Sequence, residues 1–333
     1  MILVSLVLYP VAVKYNFVDR PTERKNHEGD VPKIGGVAML IVFIVLYLFL
    51  GNVHGGNLHL SILFTIFLIS LGGILDDIFH WGPRKKFTLQ FFATLVCVLS
   101  NDVLVSSLGG IFSAEPLILP KFLWQIFTVI SIVGVINAIN MLDGIDGLAS
   151  SVSLIHFIFF GFIAGIFGNP EALDLCLIMS GLTAGFMLFN FPTAPFHKTK
   201  RIFLGDAGSS FLGFILAWIA IKLATEPASR PIPPIALVWI LALPLVDMAR
   251  VMVIRMLKGK KTILADHLHL HHQFMRRGFT LININSLFVF IAILTGFFSL
   301  VFIKFNVSEP FLFWSFLSLV MISIILTKHY SID

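Results

Sequence analysis

The chain has 333 residues, of which 57% are hydrophobic and 12% are charged, and its formal net charge is +5. Soluble domains carry about 25% charged residues, so this composition excludes an ordinary soluble domain, and we expect no nucleic-acid partner. The two cysteines, Cys97 and Cys176, lie in apolar stretches and give neither a disulfide framework nor a metal-ligand spacing.

Apolar segments of about 20 residues recur along the whole chain, as in polytopic membrane proteins. We predict an all-α integral membrane protein, with one membrane-embedded domain over residues 1–333 and about eleven transmembrane helices. Their approximate limits are 1–14, 35–51, 58–75, 88–105, 122–139, 148–167, 173–190, 208–225, 232–251, 286–304 and 310–327. The first segment has no basic residue ahead of its apolar run, which favours a span over a secretory signal peptide. Residues 106–120 contain two glycines and two prolines and are predicted to form a small hairpin.

Lys and Arg residues are distributed unevenly between the two sets of loops that alternating spans create. All but four of the 23 fall on one side of the predicted membrane. The exceptions are Lys121, Lys222, Arg230 and Lys304. Because loops rich in Lys and Arg stay in the cytoplasm, the N-terminus is predicted to lie outside and the C-terminus inside.

Five polar segments fall on the predicted cytoplasmic side. They are "DRPTERKNHEGDVPKIGG" (19–36), "GGILDD" (72–77), "NAINMLDGIDGLAS" (137–150), "NFPTAPFHKTKRIFLGDAGSS" (190–210) and "DHLHLHHQFMRRG" (266–278). Each alone has a plain structural explanation, such as a solvated helix end, a polar turn, a helix start or a His-rich loop. Ionisable groups at membrane depth are costly and tend to mark function, so their coincidence at one boundary predicts an active site on the cytoplasmic face. Asp247, in "LPLVDMAR", can be interpreted as a buried polar anchor.

Several carboxylates and an amide at one locus suit a hard divalent cation. Mg²⁺ prefers oxygen ligands and is commonly held by one or two carboxylates together with substrate phosphates. The surrounding Lys, Arg and His residues suit phosphate charge. The sequence contains no Walker pattern and no protein-kinase motif set. We therefore expect a phosphate or diphosphate substrate from the cytosol and a lipid as the second substrate.

The motifs "GGILDD", "NAINMLDGIDGLA", "FLGDAGSS" and "DHLHLHH", in that order, resemble those of the polyprenyl-phosphate N-acetylhexosamine-1-phosphate transferase family, over about residues 19–280. The resemblance implies the all-helical fold of that family, in a bacterial inner membrane. It also implies transfer of a sugar-1-phosphate from a UDP-sugar to undecaprenyl phosphate, with release of UMP, to start a cell-surface glycan such as O-antigen. "NMLDGIDGL" and the Asp-x-x-His-x-His-His pattern are most similar to the branch that uses UDP-N-acetylglucosamine. The branch that uses UDP-N-acetylmuramoyl-pentapeptide for peptidoglycan stays open as an alternative.

The resemblance also implies roles for the residues that match the family's motifs. Asn140 and Asp206 are expected to bind Mg²⁺, with Mn²⁺ as a substitute. The carboxylates expected to be catalytic are Asp76, Asp77, Asp143 and Asp146. The residues expected to bind substrate are Lys25, His27, Asn137, Asn190, His269, His271, His272 and Arg276. Related enzymes further imply a homodimer.

Two chemical routes and one different class of function are left open by the residues. The lipid phosphate attacks the β-phosphorus of the UDP-sugar directly, or a carboxylate first forms a phospho-aspartate intermediate. A transporter, whose carboxylates would coordinate ions, is the more distant alternative. Transporter sites usually lie near the bilayer midplane, whereas these acidic residues are predicted at one surface.

Overall fold

The structure is a computed structural model that describes residues 1–20, 29–54, 60–100, 103–113, 115–225, 232–259 and 268–328, and it is almost entirely helical. Its helices are α1 (Ile2–Lys14), α2 (Gly35–His54), α3 (Leu60–Phe79), α4 (Pro83–Leu99), α5 (Lys121–Leu142), α6 (Leu148–Phe167), α7 (Pro170–Asn190), α8 (His197–Lys200), α9 (Gly205–Thr225), α10 (Pro234–Ile240), α11 (Ala242–Leu257), α12 (Leu270–Arg276), α13 (Leu281–Lys304) and α14 (Glu309–Lys328). Two short strands, β1 (Val18–Asp19) and β2 (Val31–Pro32), pair antiparallel. The predicted helical membrane architecture is confirmed.

Seven helices of the described residues are long and apolar enough to cross a membrane, or eight if the bent pair α10–α11 counts as one span. Every one of the predicted spans coincides with a helix or with that pair. The count of eleven and the orientation stay predictions. The predicted span 232–251 is not one straight helix, because α10 and α11 meet at an angle of 85°. Pro244 explains the break, since it has no N–H to donate to the carbonyl of Ile240, four residues before it.

Helix α9 lies at the centre of the bundle. Within its apolar window 89% of the residues are buried, the largest share among the candidate spans. Glycines let three neighbouring helices approach it closely. A Cβ added at Gly73 of α3 would lie 2.3 Å from the backbone of Ala207, and one added at Gly36 of α2 would lie 2.2 Å from the backbone of Gly208. These contacts, with a similar one between Gly213 and α5, fix where the N-terminus of α9 sits.

The chain forms two hairpins in addition to its helices. The β1–β2 hairpin, in the segment that the sequence indicated only as a polar loop, is tied to the chain before α9, because Phe203 donates its backbone N–H to Pro32 at 2.8 Å. The predicted hairpin at 106–120 is confirmed by an antiparallel bridge between Ser107 and Ile118. The first hairpin therefore joins the N-terminal segment to the helix that carries Asp206.

Candidate active site

Four helix ends meet at one end of the bundle and bring together side chains that are far apart in the sequence. Asp76 and Asp77 lie in the last turns of α3, and Lys86 lies in the first turn of α4. Asn140 lies in the last turn of α5, and Asp206 lies in the first turn of α9. The direction of each helix places its polar end at the same level, so the structure brings these predicted site residues together.

The ammonium group of Lys86 lies among oxygen atoms from three different helices. Its Nζ is 3.1 Å from Oδ1 of Asn140 and 3.6 Å from Oδ2 of Asp76, and it forms an ion pair with Asp206. Asn140 donates from Nδ2 to Oδ1 of Asp206 at 2.6 Å and to the hydroxyl of Ser209 at 2.7 Å. We call Asp76, Lys86, Asn140 and Asp206 the cation cluster, because the oxygen atoms of the other three residues surround the positive charge of Lys86.

The donor set of the cation cluster fits Mg²⁺. Within the described ranges no group of three or more His, Cys, Asp and Glu side chains could hold a metal ion. The cluster instead offers two carboxylates and one amide oxygen, which already surround one ammonium group. Mg²⁺ needs few protein ligands because it keeps waters and substrate phosphates in its coordination shell.

Asp77 caps the helix that carries Asp206. Its Oδ2 accepts the backbone N–H of Asp206 at 3.0 Å, where a carboxylate also stabilises the positive end of the α9 dipole. Gly205 has a φ of +73°, and a Cβ there would lie 2.6 Å from the same oxygen. Lys33 lies 3.3 Å from Asp77 and 3.2 Å from Asp19. Burial lowers the pKa of Lys33, but these two carboxylates outweigh it, so that pKa is raised and the ion pairs persist at neutral pH.

Asp143 directly follows α5 and lies close to three other carboxylates, those of Asp77, Asp146 and Asp206. Burial raises its pKa well above the ordinary value, and the negative charges of Asp206, Asp77 and Asp146 raise that pKa further. A carboxyl group in this position holds a proton more readily than an exposed one.

Asp146 joins the loop after α5 to the segment between α7 and α9. One of its oxygens lies 3.0 Å from Nε2 of His197 and forms an ion pair with Arg201. The other accepts from Nδ2 of Asn190 at 3.3 Å, and Oδ1 of Asn190 accepts the backbone N–H of Gly147 at 2.7 Å. Asp146 and Asn190, predicted to be catalytic and substrate-binding, are thus also the residues that hold this loop in place.

The histidine segment, residues 268–276, packs against the same loop. A Cβ added at Gly144 would lie 2.2 Å from Nε2 of His271, so any larger residue there would have to displace the His271 ring. Burial lowers the pKa of His271 to about 3, with the neighbouring His272 adding to the effect, which keeps the His271 ring neutral. His269 is held by Asp247, whose Oδ2 lies 2.8 Å from its Nδ1. His269 and His271, two of the three predicted histidines, are therefore buried, and His271 lies against the loop that follows α5.

Some predicted site residues lie elsewhere. Lys25 and His27 lie outside the described residues. Asn137 points into the bundle, where its Nδ2 donates to Gln90 at 2.9 Å and to the carbonyl of Val133 at 2.8 Å. Arg276 is exposed at the end of α12. The roles predicted for these residues stay predictions.

Several site residues were missed by sequence reasoning. They are Lys33, Lys86, His197, Arg201 and Ser209, whereas Asp247 was singled out only as a buried polar anchor. Lys86 belongs to the basic run after the acidic pair, which signalled phosphate binding in general but not a contact with that pair. The polar segment 190–210 was singled out as a whole, yet nothing in its pattern distinguishes His197 and Arg201 from the lysines beside them.

The sequence of the helices that carry these polar ends matches a known enzyme family. Residues 59–224, which contain all four members of the cation cluster, match glycosyl transferase family 4. The chain belongs to this family, and the resemblance given by its motifs is confirmed.

The relatives carry a more specific name. The undecaprenyl-phosphate alpha-N-acetylglucosaminyl 1-phosphate transferase of Pasteurella multocida (strain Pm70) is 36% identical over 280 residues, which cover 84% of this chain and 76% of the relative. The protein of the same name from Haemophilus influenzae is 34% identical over 282 residues, 84% of this chain and 77% of the relative. That of Escherichia coli (strain K12) is 31% identical over 275 residues, 81% of this chain and 72% of the relative.

Proposed function

We propose that the protein transfers N-acetylglucosamine-1-phosphate, or a closely related N-acetylhexosamine-1-phosphate, from the UDP-sugar to undecaprenyl phosphate and releases UMP. The reaction takes place at the cytoplasmic face of a bacterial inner membrane and starts a cell-surface glycan. The observation that carries this proposal is the convergence of Asp76, Asn140 and Asp206 around one cationic position at the helix ends. The names of the relatives support the choice of donor and acceptor.

The proposed reaction is an in-line phosphoryl transfer. An oxygen of the lipid phosphate forms a bond to the β-phosphorus of the UDP-sugar, while the bond from that phosphorus to the bridging oxygen breaks and UMP leaves. Such transfers depend mainly on positioning and on neutralising charge. A phosphate monoester has a second pKa of about 6, so the attacking group is already largely ionised at neutral pH. Asp76 then needs only to orient the acceptor, and no strong base is required.

Asp206 and Asn140, with Asp76 beside them, are the residues that would hold Mg²⁺. Bound there, the ion supplies charge neutralisation to the diphosphate. Lys86 contributes a fixed positive charge to the same locus and limits the repulsion between the two carboxylates. Asp77 contributes indirectly, because it fixes the first turn of α9 and so the position of Asp206.

A panel of UDP-sugars tests the proposal. Purified protein is incubated with undecaprenyl phosphate and Mg²⁺, and UMP release is measured. We expect release with UDP-N-acetylglucosamine or a related N-acetylhexosamine, and none when either the lipid phosphate or the divalent cation is omitted. Release with UDP-N-acetylmuramoyl-pentapeptide alone would assign the protein to peptidoglycan synthesis, and no release with any donor would contradict a transferase.

The stereochemistry at the transferred phosphorus separates the two chemical routes. With a donor made chiral by isotopic substitution at the β-phosphorus, we expect inversion of configuration, because one in-line displacement inverts the centre once. Retention would instead indicate two displacements through a phospho-aspartate. The lipid product is cleaved and its phosphorus configuration is read by NMR.

A further inference from the structure

Asp247, in the first half of α11, is buried at the base of the histidine segment. Only 1% of its surface is exposed, and it lies outside the cation cluster and the loop held by Asp146. Both of its carboxylate oxygens are used. Oδ2 lies 2.8 Å from Nδ1 of His269, while Oδ1 accepts from Arg250 at 2.6 Å and from the backbone N–H of Leu270 at 3.2 Å.

Arg250 extends the same network to two other parts of the chain. The guanidinium is fully buried and donates to the carbonyl of Leu268 at 2.7 Å and to the hydroxyl of Thr327, in α14, at 3.1 Å. The backbone on both sides of His269 is therefore held by the Asp247–Arg250 pair. A buried ion pair is stabilising only when most of its remaining donors and acceptors are satisfied. Here both terminal nitrogens of Arg250 donate, and Nε is the one guanidinium nitrogen that has no partner among the described residues.

The contact with Asp247 also determines the protonation pattern of His269. A carboxylate can only accept a hydrogen bond, so the proton of His269 must sit on Nδ1. Nε2, on the opposite edge of the ring, is then the atom available to a ligand. In the neutral ring Nε2 can only accept, so a hydrogen bond from Nε2 to a phosphate oxygen requires the imidazolium form, whose positive charge lies against the carboxylate of Asp247.

We propose that Asp247 is a positioning residue that orients His269, so that Nε2 of the protonated ring donates a hydrogen bond to the diphosphate of the nucleotide sugar. The proposal rests on the proposed function, since it takes a UDP-sugar as the ligand. A purely structural role for Asp247, as an anchor of the segment, is the competing interpretation.

Two substitutions separate these interpretations. Asp247→Asn retains the shape of the side chain, but its amide cannot accept from both His269 and Arg250. His269→Asn retains a donor that can still reach Asp247, so the anchor survives, but the far ring nitrogen is lost. The matched control is Glu171→Gln, which weakens another carboxylate–cation pair, half-buried and with Lys222 at 2.8 Å, at the opposite end of the bundle.

Equilibrium binding of UDP-N-acetylglucosamine, without lipid acceptor, is measured by calorimetry for each purified variant. We expect Asp247→Asn and His269→Asn each to weaken binding about 10- to 100-fold, as for the loss of a hydrogen bond to a charged group, and the control to bind like the unmodified protein. We expect the double variant to bind no more weakly than His269→Asn alone, because Asp247 acts through the histidine.

Normal binding by His269→Asn, or fully additive losses in the double variant, would overturn the proposal in favour of a structural anchor. The binding measurement also tests this proposal separately from the proposed transfer reaction. Weakened donor binding in the variants, in a protein that releases no UMP, would support the positioning role and contradict only the transfer reaction. Failure of the unmodified protein to bind the nucleotide sugar would overturn both.

Discussion

Asp206→Asn is expected to reduce the rate of UMP release about 100- to 1,000-fold, the loss typical of removing a preorganised charged group from a transferring phosphoryl centre. The substitution keeps the shape of the side chain but removes the negative charge that Lys86 and Asn140 contact. Asp206 also lies in the first turn of α9, where losing a carboxylate costs only about 0.3–1 kcal/mol of folding free energy. The measurement is steady-state turnover at saturating donor, acceptor and Mg²⁺.

The control for this experiment is again Glu171→Gln, whose carboxylate lies far from the cation cluster at the start of α7. It should retain the turnover of the unmodified protein. Thermal melting in detergent should show the same transition for both variants, which separates a loss of chemistry from a loss of folding. Unchanged turnover in Asp206→Asn would refute the assignment of Asp206 to the metal.

Gly73→Ala is the second substitution with a large expected effect. The new methyl group would lie 2.3 Å from the backbone of Ala207. Because backbone atoms cannot rotate out of the way as a side chain can, α3 and α9 would have to move apart. Overpacking of this kind typically costs about 1–3 kcal/mol. The larger consequence is geometric, since pushing α3 from α9 separates Asp76 from Asp206, and a misplacement of about 1 Å can lower a rate about 100-fold.

Gly134→Ala, in the middle of α5, is the matched comparison. A Cβ there meets no atom within 4 Å, so the same chemical change should leave turnover unaltered. Its melting temperature should stay the same or rise slightly, because alanine has less conformational freedom to lose than glycine. Turnover and melting are measured for both variants side by side. Similar behaviour of the two would mean that the close approach of α3 and α9 does not control the site.

Hydropathy and charge predicted much of this fold because they report on single segments. Each predicted span has a helical counterpart, and the acidic motifs lie at one end of the bundle because alternating helices return to the same side. The same reasoning could not foresee the bend between α10 and α11. Its cause, Pro244, lies inside an apolar run that otherwise resembles one continuous span.

The composition of the site was less predictable than its location. Asp206 and Asn140 were identified as site residues because they match positions in the motifs of the family that the sequence resembles. Lys86 was not identified, since its contacts with Asn140 and Asp206 join residues 54 and 120 positions apart and depend on how α4 packs against its neighbours. Asp247 was interpreted as a buried anchor. It is buried, but its partner His269 is 22 residues away, beyond any local pattern.

The burial of α9 has a consequence for how the surrounding lipid can influence the enzyme. Its residues from Ala207 to Ile219 are all enclosed by other helices, so this helix is insulated from hydrocarbon chains. A thicker or thinner bilayer therefore acts first on the outer helices, through tilt. Changes in acyl-chain length should alter how readily the proposed lipid acceptor reaches the cation cluster, and leave the distances within the cluster as they are.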